Sequence, residues 1–188
     1  DFDLLDVVPA SIDLSGAELE VADMENRNVL LKTAVDEFLE TSEEHYDYVI
    51  IDCPPSLGLL VINAMCAVHE MLIPIQAEYY ALINTIGLVQ EHFNPSLLVS
   101  TMLITMFDKR TLLSREVHDE VKNHYPTIVL NTTIPRTVKI SEAPSFNQSV
   151  IAYDPKGMGA IAYCEAALEI ARRSQTVLKA IDARRNEN

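Results

Sequence analysis

At 188 residues, 48% of them hydrophobic, the chain is long enough to bury a sizeable core, and it reads as a single domain over residues 1–188. No apolar run is long enough to span a bilayer, and the first residues carry no signal-peptide pattern. Cys53, Cys66 and Cys164 are an odd number with no ligand spacing and read as buried reduced thiols of a cytoplasmic protein, which argues against a metal site.

The net charge of −14 opposes nucleic-acid binding on its face, but it is unevenly spread. Residues 1–52 hold fifteen acids against two bases, and residues 53–107 hold three acids and no base. Residues 108–188 hold ten acids and twelve bases, so a cationic surface must come from this last third. A merely less acidic half is the plain alternative.

Phe2 to Val8 reads as a strand stopped by Pro9. A helix follows, broken near Asn26, and Asn28 can cap a second one over Val29 to Glu40, whose apolar residues keep helical spacing. Tyr48 to Asp52 is a continuous apolar run ending in a carboxylate, followed at once by Pro54 and Pro55, and reads as a buried parallel strand. Asp52 would then lie at a strand's carboxyl end, where open α/β sheets bind ligands and a carboxylate can hold Mg²⁺ beside phosphates. A strand closing in an Asp-capped turn is the alternative.

Ser56 can cap a helix over Leu57 to Val68, apolar nearly all round. Met71 to Ile75 reads as a strand with Glu78 in the loop after it, and a helix runs from about Asn84 to His92. Leu97 to Met106 is a further strand, Asp108 to Thr111 its loop, and Leu112 to His124 an amphipathic helix. Thr127 to Leu130 is a short strand, Thr133 to Arg136 a loop, and Val138 to Ala143 a short segment ended by Pro144. Val150 to Tyr153 reads as a small edge strand, and a long helix runs from about Ala160 to Ala183. The fold class is α/β: a mostly parallel twisted sheet with helices on both faces. Asp52, Glu78, Asp108 to Thr111 and Pro135-Arg136 should share one rim of that sheet. The five histidines lack ligand spacing and read as surface residues, and Arg172-Arg173 and Arg184-Arg185 as a solvated helix face. Ser56 and Ser141 lack the paired base that a nucleophile needs.

Several ordered segments resemble those of the ParA/Soj partition ATPases, relatives of MinD within the P-loop NTPases. Tyr46-Asp47-Tyr48-Val49-Ile50-Ile51-Asp52-Cys53-Pro54-Pro55-Ser56 resembles their Walker B segment. Pro74 to Leu82 and Thr105 to Thr111 resemble the next two strand ends, and Ile134-Pro135-Arg136-Thr137-Val138-Lys139-Ile140-Ser141-Glu142-Ala143-Pro144-Ser145 is the most specific match. Tyr153 to Gly157 with Gly159-Ala160 continues it. Two departures stand out. The family's glycine-rich lysine loop has no counterpart among the five glycines here, and Leu82 runs directly into Ile83-Asn84-Thr85 without the family's glycine-rich insertion. The expectation is a domain truncated at its N-terminus.

The resemblance implies ATP and Mg²⁺ as cofactors, and a homodimer formed on ATP. It also implies coating of double-stranded DNA without sequence preference, and hydrolysis triggered by a ParB/Spo0J-type centromere-binding partner. By this match Asp52 takes the catalytic and metal-holding role, with Pro54 in the switch that senses the γ-phosphate. Met106, Pro135 and Arg136 would border the nucleotide, with core packing as the alternative for Met106. DNA would be met by Arg110 and Lys139, with Lys109, Arg115 and Arg136 nearby; ordinary solvated charge is the alternative. The protein would be cytoplasmic and associated with the nucleoid, and its C-terminal helix lacks the large apolar residues of a membrane anchor. Two further readings stand beside this one: a non-hydrolysing interaction module of the same fold, and a MinD-like division regulator.

Overall fold

The computed structural model describes the backbone of residues 5–54, 58–75 and 87–186, and the side chains of these except Ser15 and residues 175–186. The chain divides into two compact units, Asp1–Val68 and His69–Asn188.

Among its described residues the first unit contains three helices: α1 (Leu14–Glu20), α2 (Leu30–Thr41) and α3 (Leu59–Ala67). Val61, Ala64, Met65 and Cys66 of α3 are buried, as expected for a helix with no polar face. Buried Asn63 ties α3 to α2. Its Oδ1 accepts from Leu31 N at 3.1 Å, and its Nδ2 donates to the carbonyls of Arg27 at 2.7 Å and Leu59 at 3.0 Å. Leu31 N is one of the amides that a helix start leaves without an intrahelical partner. The cap of α2 therefore comes from Asn63, not from the expected Asn28. At the start of α3, Leu60 N donates to Glu18 Oε1 at 3.1 Å. A Cβ at Gly58 would stand 2.3 Å from that same oxygen, so a larger residue there would push the Glu18 carboxylate out of this position. Ser56, the expected cap, lies outside the described residues.

The described parts of two expected strands of this unit are not strands, and residues 2–4 of the first lie outside the described residues. Residues 5–8 and 48–52 are irregular, with Val8 98% and Ile50 88% exposed. Apolar composition favours a strand only when neighbours complete its ladder, and among the described residues none pairs with either run.

The second unit is built on two parallel strands, β1 (Glu70–Ile75) and β2 (Leu98–Ile104), with a bulge between Met71 and Leu72. Parallel neighbours need a crossover, and helical residues 87–92 (α4) lie in the connection. A third parallel segment joins β2 through a bridge between Met102 and Val129: Met102 N donates to Ile128 O and Leu130 N to Met102 O, both at 2.9 Å. The expected strand over Thr127 to Leu130 is thus present as this single bridge. After β2 come α5 (Leu112–His124), α6 (Val138–Glu142), a 3₁₀ turn (Ala143–Phe146), α7 (Val150–Tyr153) and α8 (Met158–Asn186). Leu103, Leu130 and Ile134 form a buried cluster with Ala162 and Ala166 of α8. The small alanines let the helix lie close to the strands.

Val150 to Tyr153 is a helical turn and not the expected edge strand. Ser149 Oγ accepts from Ala152 N at 3.2 Å, and the Tyr153 ring stacks on Phe146 with centroids 5.0 Å apart. This local cap and ring pair outweigh the modest β preference of Val150 and Ile151. The structure is α/β with a parallel sheet and helices, as expected from the alternation of patterns.

Candidate functional site

In the second unit, Met106, Lys109 and Arg110 follow the carboxyl end of β2, and Pro135 and Arg136 follow the third parallel segment. Thr105 N donates to Ile75 O at 3.1 Å, which brings the end of β2 against the end of β1. Phe107 then pairs in parallel with Pro135: Phe107 N donates to Ile134 O at 2.9 Å, and Arg136 N to Phe107 O at 3.0 Å. Ile134 N donates to Ile104 O at 2.9 Å, and its side chain is buried in the core cluster. Three backbone hydrogen bonds and one anchor therefore draw the loop 105–111 and the turn 134–136 to one edge. Glu78 lies outside the described residues.

Met106 stands between these bonds with φ 56° and is 43% exposed. Among the described residues, the other non-glycine residues with positive φ are Asn26 and Asn147, whose short amide side chains tolerate the left-handed region. Methionine has no such compensation, so this backbone costs about 1 kcal/mol or more. The geometry holds an apolar side chain out at the strand end, one residue from the bridge to Pro135.

Two cations of this edge, Arg110 and Lys139, are paired with acids. Asp108 takes Arg110 in a fork, Nε to Oδ1 at 2.9 Å and Nη2 to Oδ2 at 2.8 Å, and accepts from the Arg110 backbone N at 3.0 Å. The Arg110 side-chain hydrogen bonds, then its backbone N–H, hold the Asp108 carboxyl at about 2. Arg110 itself remains 84% exposed. Thr111 caps α5 by accepting from Ser114 N at 3.3 Å, so the Asp108 to Thr111 loop has a defined path into the helix. On α6, capped by Thr137, Lys139 Nζ donates to Glu142 Oε2 at 3.1 Å and sits 5.2 Å from the Tyr153 ring centre. Lys109, Arg115 and Arg136 are exposed.

Asp52 and Pro54 belong to the first unit and are exposed in the irregular segment that replaces the expected strand. The thiol of Cys53 points back to Ile51 O at 3.8 Å, and burial raises its pKa, followed by the charge of Asp52. Three sequence expectations need correction. Of the three thiols expected to be buried, Cys66 is buried but Cys53 and Cys164 are exposed. His118 is only partly exposed, with its ring 5.6 Å from that of Phe107. Arg173 is not on a solvated face: its guanidinium donates to Ile128 O at 3.1 Å and Val129 O at 2.9 Å. Sequence spacing offered no signal for this contact, because its partners are carbonyls more than forty residues away.

A parallel α/β sheet with its polar loops gathered at the strands' carboxyl ends is the general layout of nucleotide-binding α/β folds. A family profile described as "AAA domain" matches residues 1–99. The sporulation initiation inhibitor protein Soj of Bacillus subtilis is 49% identical over 173 residues, covering 89% of this chain and 67% of Soj. The chromosome partitioning protein ParA of Myxococcus xanthus is 43% identical, covering 90% of this chain and 60% of that protein. A structure of cobyrinic acid a,c-diamide synthase from Mycobacterium smegmatis with bound ATP analog and magnesium has a TM-score of 0.70. It is 36% identical, and the match covers 89% of this chain and 62% of the synthase. The chain belongs to the ParA/Soj family of partition ATPases, and spans roughly two thirds of the length of the curated relatives it matches.

Proposed function

We propose that this chain is the greater part of a DNA-segregation ATPase that dimerises on Mg·ATP, coats DNA without reading its sequence, and is released when a ParB-type partner stimulates hydrolysis. The observation that carries the reading is the edge where Met106, Pro135 and the Asp108 to Thr111 loop are drawn together by the Phe107 ladder. An exposed apolar side chain beside a rigid ring suits the faces of a purine base. Asp52 is an exposed carboxylate, and Mg²⁺ is commonly held by one or two carboxylates together with water and phosphate oxygens, so the residue fits the ion.

Mg·ATP would supply the phosphoryl chemistry. The chain's own part is to hold the ion at Asp52, pass the state of the site through the Pro54 switch, and border the base with Met106, Pro135 and Arg136. Arg110 and Lys139, with Lys109, Arg115 and Arg136, would meet DNA phosphates. Asp108 and Glu142 keep Arg110 and Lys139 oriented and would yield to a polyanion. Among the described residues no helix is long and apolar enough to cross a membrane, and we place the protein in the cytoplasm on the nucleoid.

The test is DNA retention by the full-length gene product and its Arg110→Glu, Lys139→Glu double variant. Retention that depends on Mg·ATP should vanish in the variant, with binding of a fluorescent ATP analogue kept. Retention at low salt equal to that of the parent removes the DNA surface from the reading. A full-length protein that binds no Mg·ATP turns it into the interaction module.

A further inference from the structure

We propose that Glu169 and Arg173 of α8 are positioning residues that set the turn Ile134–Arg136 against the nucleotide base. The inference rests on the reading that this turn borders the base. The two side chains are one helical turn apart and lie on the same face, with Arg173 Nη2 donating to Glu169 Oε1 at 2.7 Å. They are largely buried, with side-chain exposures of 25% for Arg173 and 18% for Glu169.

Each grips the backbone of the third parallel segment at a different point. Arg173 donates to the carbonyls of Ile128 and Val129, with a longer contact to Thr127 at 3.5 Å. Glu169 accepts from Asn131 N at 2.9 Å and Thr132 N at 3.0 Å, and from the side chains of both residues at 3.2 and 3.1 Å. Burial alone would raise the Glu169 pKa, but these amides, the Thr132 hydroxyl and the Arg173 charge bring it below the usual value.

The position of the grip matters more than its strength. The segment's ladder to β2 is a single bridge at Val129, and its next backbone bond to β2 is Ile134 N to Ile104 O. Between those points the strand's amides at Asn131 and Thr132 face a carboxylate from α8 in place of a neighbouring strand. Thr132 precedes Pro135 by three residues, so the path of 131–133 determines how the turn meets Phe107 and Met106. A carboxylate that satisfies four donors fixes that path, and a bifurcated guanidinium fixes its start. Among the described residues, no backbone bond to β2 holds the stretch between Leu130 and Ile134 in their place.

The experiment compares Glu169→Ala, Glu169→Gln and Arg173→Lys in the full-length gene product. Mg·ATP and Mg·GTP affinities are measured by displacement of a fluorescent analogue, alongside urea midpoints. A misplaced turn loses a base-edge hydrogen bond, so the preference for ATP over GTP should fall about fivefold in Glu169→Ala. Glu169→Gln keeps one acceptor oxygen and should fall less, and Arg173→Lys should weaken the preference without removing it. If Glu169→Ala does not fold, the two conservative variants carry the comparison. Lower urea midpoints with the parental ATP to GTP ratio would make the pair a structural tie only, and the proposal falls. A parent that binds ATP but prefers neither base overturns both the proposal and the base-site reading beneath it.

Discussion

Gly159 offers a perturbation whose sign is decided by two competing terms. It is the second residue of α8 and is buried where α6 crosses the helix start. A methyl group there would sit 2.8 Å from Ile140 Cγ1 and 3.0 Å from its Cδ1. Replacing glycine by alanine in a helix gains up to about 1 kcal/mol from propensity. Against that, Cγ1 is the stem of a β-branched side chain whose χ1 is nearly fixed in a helix, so it cannot swing aside, and forced overpacking costs about 1–3 kcal/mol. The balance predicts Gly159→Ala to be less stable by about 1 kcal/mol. In an Ile140→Ala background the obstacle is gone, and the same substitution should stabilise by up to about 1 kcal/mol. Urea unfolding of the four proteins should therefore give a coupling of about 2 kcal/mol between the two positions. Equal effects of Gly159→Ala in both backgrounds would refute the packing argument. Lys139 precedes Ile140 on α6, so the single variant of the full-length protein should also retain DNA less well.

Asp108 makes a pH prediction. Its folded pKa is lowered from 3.8 to about 2, chiefly by the side-chain hydrogen bonds of Arg110. The unfolded chain then binds more protons than the folded one between these values, so the stabilisation is full above about pH 4 and is lost as pH falls toward 2. Asp108→Asn should lose less stability than the parent between pH 5 and pH 3 in urea titrations; parallel losses would sink the assignment. Met106→Gly should leave stability nearly unchanged, since relief of the left-handed backbone offsets glycine's entropy, each about 1 kcal/mol. The same variant of the full-length protein should bind a fluorescent ATP analogue more weakly, and unchanged binding would remove Met106 from the base site.

Much of the second unit was legible in the chain. The apolar runs that became β1 and β2, the amphipathic pattern of α5 and the long α8 each carry their periodicity locally. The pairing of the 105–111 loop with the 134–136 turn followed from the rule that parallel strands end on one edge. What misled was of one kind. The run 48–52 has strand composition, yet a strand exists only with its neighbours. Val150 to Tyr153 has strand propensity, yet Ser149 and Phe146 supply a closer set of partners.

Residue order by itself determined where apolar faces recur, which loops hold carboxylates and cations, and which family the motifs belong to. Tertiary structure alone decided who satisfies the backbone groups left over at the ends of these elements. Asn63 caps α2 from thirty-two residues away, and Glu169 and Arg173 complete a strand that has one bridge to its neighbour. A backbone N–H or C=O taken from water must find some partner, but nothing local in the sequence says which distant side chain will reach it.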